Sequence, residues 1–78
     1  MAKPSPIHAR EERLVKIGRA VRRIRRQRGV SQEQLALLAD LDRSYVGGIE
    51  RGEHNLTIMS LAKLAQALEV QLKELVEG

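Results

Sequence analysis

The side chains that could perform covalent or acid–base chemistry are few and scattered in this sequence. Its two histidines, His8 and His54, stand far apart, and cysteine is absent. That removes disulfides, thiolate nucleophiles and thiolate metal sites at once. The carboxylates fall singly along charged stretches. No Gly-rich phosphate loop, H-E-x-x-H or G-x-S-x-G segment occurs. No catalytic residue, metal ligand or cofactor is therefore expected, and the chain reads as a binding protein rather than an enzyme. What is concentrated is positive charge. Residues 1–28 hold ten Lys/Arg against two Glu, whereas residues 29–78 hold four against eight Asp/Glu. A basic end on a nearly balanced body suggests contact with a polyanion on one side of the molecule.

Composition narrows the choice of polyanion. Tyr45 is the only aromatic residue, so the stacking platforms of single-strand binders and RNA-recognition sheets are missing. Single-stranded nucleic acid and RNA are therefore disfavoured as that polyanion. At 78 residues the chain makes one domain with a core of Leu, Ile, Val and Ala, which favours packed helices. No apolar run approaches the roughly 20 residues that span a bilayer. Met1 to Pro6 lacks the hydrophobic block of a secretory signal. No membrane contact is expected, and the expected location is the cytoplasm.

The elements that must position these charges can be read from periodicity and capping. Residues 1–9 contain two prolines and no period, and are expected to form a flexible arm before a domain over 10–78. From Leu14, the residues Leu14, Ile17, Val21 and Ile24 form one apolar stripe, with Lys16, Arg19, Arg22, Arg23 and Arg26 on the opposite arc. Arg25 stands apart, beside Val21 at the stripe's edge. Gly29 stops this helix. Ser31 and Gln34 have capping-box spacing before a second helix, Gln32 to about Ala39, with Leu35, Ala36, Leu38 and Ala39 expected inside. Asp42 can cap a third helix, Arg43 to about Arg51. Its apolar face is Tyr45, Val46 and Ile49, and its outward face is Arg43, Ser44, Gly47, Gly48 and Arg51. Thr57 can cap a fourth helix ending at Leu68, with a stripe of Ile58, Leu61, Leu64, Ala65 and Leu68. A short fifth covers about Gln71 to Glu77.

Two short helices separated by about three residues have helix-turn-helix geometry. The second helix would lie in a DNA major groove while the first crosses above it, and small Ala36 permits their close approach. Gln32-Glu-Gln-Leu-Ala36, with Leu41-Asp-Arg-Ser-Tyr45-Val-Gly-Gly-Ile-Glu50-Arg-Gly52, resembles the Xre and lambda-repressor-like helix-turn-helix proteins. The stretch from Leu41 to Gly52, followed by Asn55-Leu-Thr-Ile58, is most similar to the controller proteins of restriction–modification systems. The resemblance covers about residues 14–77. Asp40 departs from it, standing where the turn usually has glycine; Asp tolerates the left-handed backbone better than most residues.

The resemblance implies an all-α, five-helix, lambda-repressor-like domain that regulates transcription as a dimer on a pseudo-palindromic operator. It implies that Arg43, Ser44 and Tyr45 reach base edges and adjacent phosphates. It further implies that Gln32 bonds a phosphate and that His54 and Asn55 meet the DNA backbone. Arg25 and Glu50 match a structural pair joining the first and third helices. Arg51 shares the outward face, and side chains at Gly47 or Gly48 would collide with DNA. The dimer would form through the C-terminal helices, where Ile58, Met59, Leu72, Leu75 and Val76 offer apolar surface. Glu33 and Asp40 form an acidic edge that could meet RNA polymerase. A protein-interaction module or antitoxin-like repressor on the same fold is the alternative.

Overall fold

The first four helices begin where a side chain supplies the missing hydrogen bonds and end where the backbone turns left-handed. The computed structural model describes residues 11–53 and 56–77; the expected arm at 1–9, with His54 and Asn55, lies outside them. Five helices follow: α1 (Glu12–Gln27), α2 (Gln32–Ala39), α3 (Arg43–Glu50), α4 (Ile58–Leu68) and α5 (Leu72–Glu77). Among the described residues there is no strand. The helix α1 starts at Glu12 rather than Leu14, because the Glu11 carboxylate accepts from Arg13 N and caps it. Before α2 the capping box closes: Gln34 N donates to Ser31 Oγ (3.0 Å) and Ser31 N to Gln34 Oε1 (2.9 Å). Asp42 caps α3 and Thr57 caps α4, as expected.

The first four helices end in one motif. Gly29, Asp40, Gly52 and Glu69 have φ of 70°, 56°, 73° and 61°. The next residue donates back to a carbonyl five positions earlier: Val30 to Arg25, Leu41 to Ala36, Glu53 to Gly48 and Val70 to Ala65, at 2.9–3.1 Å. Asp40 thus keeps the tight turn between α2 and α3. Glu69 does the same after α4, at an expected local cost of about 1–2 kcal/mol. Gly52 is required twice over. Its φ is left-handed, and a Cβ there would stand 2.8 Å from Val15 Cγ2 and 2.9 Å from Val15 Cα.

The core sits where the helices converge. α1 packs on α3 and α5, α2 packs on α3 and α4, and α4 packs on α5. Val21, Ile24, Leu35, Val46, Ile49, Leu61, Leu64, Leu68 and Leu75 form its buried centre. Three expectations from periodicity are corrected. Leu38 is 63 % exposed and Ile58 is 73 % exposed, whereas Leu75 is fully buried. On α2, only Leu35, Ala36 and Ala39 fall within one arc facing α3 and α4. Leu38 lies about 100° to its side. Ile58, on the first turn of α4, projects past the edge of its neighbours. Leu75 faces the seam that α5 makes with α1 and α4, so it belongs to the monomer's core. Leu72 is half-buried against that same core.

Candidate nucleic-acid interface

The exposed end of α3 is its N-terminal turn. Asp42 accepts from Ser44 N at 3.1 Å. Hydrogen bonds from the Ser44 hydroxyl, and then from its backbone N–H, lower the Asp42 carboxyl below its ordinary value, so the cap stays ionised. With the turn held in this way, Arg43 and Ser44 are both exposed. A long fork-shaped donor and a short hydroxyl at the start of such a helix suit the edges of base pairs and their flanking phosphates.

The other end of α3 is fastened by a buried polar network. Arg25 Nε donates to Glu50 Oε2 (2.6 Å) and Arg25 Nη2 to Glu50 Oε1 (3.0 Å), while Nη1 reaches the Val30 carbonyl (2.9 Å). The two side chains are 10 % and 2 % exposed. The ion pair expected between the first and third helices is present, and it also ties down the start of α2. Gln32 enters the same network: its Nε2 donates to Glu50 Oε1 at 3.0 Å. The residue expected at a phosphate is therefore oriented from behind by the carboxylate, at the N-terminus of α2. Among the described residues no buried side-chain polar atom lacks a partner.

Tyr45 lies half-buried against the core, and its hydroxyl donates to Ser60 Oγ at 3.2 Å. Ser60 is itself held by the Thr57 cap, with Thr57 Oγ1 at 3.0 Å from both Ser60 Oγ and Ser60 N. Tyr45 thus couples α3 to the start of α4. Sequence reasoning missed Ser60, although the Thr57-x-x-Ser60 spacing could have marked it as a capped, hydrogen-bonded position.

The outward face of α3 is narrower than expected. Gly47 and Gly48 are buried, not open. A Cβ at Gly47 would lie 3.1 Å from Arg51 Nη1 and 3.6 Å from Gln32 Oε1. The absent side chain lets two polar groups of this chain converge over the helix, so the space above Gly47 is already partly filled by the protein itself. Arg51 is exposed and pairs with Glu53 at 3.1 Å. Gly18 was overlooked altogether. A Cβ there would sit 2.2 Å from the Ile49 carbonyl oxygen, and a glycine inside an otherwise regular helical pattern was the available signal.

Of the residues expected at an interface between copies, Ile58, Met59 and Val76 are 73 %, 68 % and 48 % exposed, whereas Leu75 is not available. Among the described residues no three His, Cys, Asp or Glu side chains gather as a metal site would need, and no helix is long and apolar enough to cross a membrane.

The helix-turn-helix family profile matches residues 21–75. The chain is 43 % identical over 61 residues to the control protein C.BamHI of Bacillus amyloliquefaciens, an alignment covering 77 % of this chain and 75 % of that protein. Among solved structures it is similar to the restriction–modification controller protein C.AhdI of Aeromonas hydrophila, with 49 % identity and a TM-score of 0.82 over 83 % of this chain and 98 % of that one. It is also similar to the controller protein C.Esp1396I, solved as a tetramer in complex with its natural 35 base-pair operator. There the identity is 36 % and the TM-score 0.76, over 87 % of this chain and 99 % of that one.

Proposed function

This chain belongs to the helix-turn-helix family that includes the controller proteins of restriction–modification systems, and on that premise we propose that it regulates transcription by binding operator DNA as a homodimer. The observation that carries the reading is the exposed first turn of α3, where Arg43 and Ser44 project from a helix locked at its far end by the Arg25–Glu50–Gln32 network. Rigid support behind a short polar edge is what sequence readout in the major groove requires. Gln32, Tyr45, Arg51, His54 and Asn55 complete the contact to the backbone. The protein acts in the cytoplasm and catalyses no reaction, and the exposed Glu33 and Asp40 offer an acidic edge to RNA polymerase.

Selection of bound sequences from random duplexes tests the reading, since a protein-interaction module would enrich none. On the enriched site, Arg43→Ala is expected to lose about 1–3 kcal/mol of binding, with a much smaller loss on arbitrary DNA. Titrations of both duplexes check this, and equal losses would reduce Arg43 to a phosphate contact.

One recognition helix reads only a few base pairs, so two copies on half-sites about one helical turn apart are needed for specificity. Ile58, Met59 and Val76 leave apolar surface at α4 and α5 for a twofold contact. Met59→Glu is therefore expected to yield a folded monomer with at least about tenfold weaker operator binding. Sedimentation velocity checks it. A Met59→Glu variant that stays dimeric would move the interface elsewhere.

A further inference from the structure

We propose that the arginine face of α1 is a second phosphate-binding surface, which continues the operator contact outward along the same duplex beyond the base pairs read by α3. The proposal rests on the operator-binding reading and adds to it a surface of the protein that this reading leaves unused. Lys16, Arg19, Arg22 and Arg26 are all exposed. At about 100° per residue they occupy one arc of α1, opposite its buried stripe, over a length of roughly 15 Å. Ion pairs among the described residues engage Arg13, Arg25, Arg28 and Arg51, and none of these four. Like charges three and four residues apart weaken a helix by a few tenths of a kcal/mol each. A face built in this way gains nothing for the fold, and it fits a regular row of anions.

Position decides which row. Arg22, one turn before Arg25, and Arg26, next to it, lie to one side of the buried Arg25 on α1, and Arg25 bonds both the Val30 carbonyl, just ahead of α2, and Glu50. Glu50 in turn receives Gln32, the residue at the start of α2 placed toward a phosphate. The Arg22–Arg26 end of the cationic arc therefore approaches the α2 N-terminus, which the operator-binding reading sets against a phosphate, and the rest of the arc runs away from it along α1. A straight helix carrying charges along its length matches a duplex, whose strands each present a phosphate every 3.4 Å or so of axis. A flexible single strand would need aromatic platforms, and Tyr45, the one aromatic residue, is packed against Ser60.

The test uses the full chain and the duplex enriched by selection, in two lengths: cut to the enriched sequence, and extended by about ten base pairs of arbitrary sequence at each end. The triple variant R19Q/R22Q/R26Q keeps good helix formers at exposed positions, and circular dichroism confirms that it folds. On the extended duplex, its log–log salt slope is expected to be shallower by about 5 per dimer, with affinity at least about tenfold lower at physiological salt. On the cut duplex the change stays within about twofold, and Lys at the three positions restores the extended-duplex affinity. Unchanged binding to the extended duplex overturns the proposal, as does an equal loss on both lengths. Co-capture of a second labelled duplex by operator-bound protein would assign the face to a separate DNA and overturn the same-duplex geometry. If selection enriches nothing, the operator reading itself fails and this proposal falls with it; the triple-variant outcomes, by contrast, leave that reading intact.

Discussion

Glu50→Ala is expected to destabilise the domain by about 3–5 kcal/mol, enough to unfold a large fraction of a chain this small at physiological temperature. The Glu50 carboxylate is almost wholly buried and accepts two bonds from Arg25 and one from Gln32. Its removal leaves the Arg25 guanidinium buried with only the Val30 carbonyl as partner, and an uncompensated buried charge is what makes such truncations costly. The pair itself contributes less than its breakage suggests, because both charges were taken out of water to form it. Glu53→Ala is the natural control. Its partner Arg51 and Glu53 are both about half exposed, so the loss there stays under about 1 kcal/mol. Urea melts of Arg25→Ala, Glu50→Ala and the double variant complete the cycle. The double variant should lose clearly less than the sum of the singles, and additive losses would refute the coupling.

The same substitution should also reach DNA binding, through Gln32. With Glu50 gone, the amide at the start of α2 loses the acceptor that orients it, so affinity falls beyond what the unfolded fraction explains. The stability link and the binding link thus share one carboxylate.

Gly18→Ala is expected to cost at least about 3 kcal/mol, although alanine is the better helix former by roughly 1 kcal/mol. The added Cβ would stand 2.2 Å from the Ile49 carbonyl oxygen and 2.8 Å from that of Glu50. Both atoms are backbone at the end of α3, so no side chain can swing away. The two helices must separate by an ångström or more, which unpacks Val21 from Ile49 and stretches the Arg25–Glu50 bonds. Thermal melts check it, and a variant as stable as the parent would show that α1 and α3 can slide apart freely. Because the clash lies directly under α3, any folded fraction should also bind the operator more weakly.

Which parts of this fold were legible beforehand follows from the range of the interactions involved. Helix starts were readable because Ser31, Asp42 and Thr57 bond backbone groups two or three residues away. The left-handed turn at Asp40 was legible through the family resemblance, which puts glycine at that position, and through the tolerance of Asp for that backbone, while the one at Glu69 carried no compositional signal. The one-sided charge and the apolar stripe of α1 are properties of single elements, and both were plain in the sequence. Arg25 and Glu50 were paired by the family resemblance, and the place of each at the edge of its own buried stripe agrees with it. The alternation of apolar residues could not say that Leu38 and Ile58 face outward while Leu75 is interior. Those outcomes depend on which neighbour covers each helix, and α2 and α5 are too short for periodicity to point in one direction. Gly18 and Gly47 gain their meaning only from atoms of other helices and side chains, Ile49 and Glu50 for one, Arg51 and Gln32 for the other. Gln32 likewise meets Glu50 only after α2 and α3 have crossed. Local bonding chose where the helices begin and most of where they end; the angle and distance at which they cross decided which side chains are buried, which remain open to a partner, and where no side chain fits.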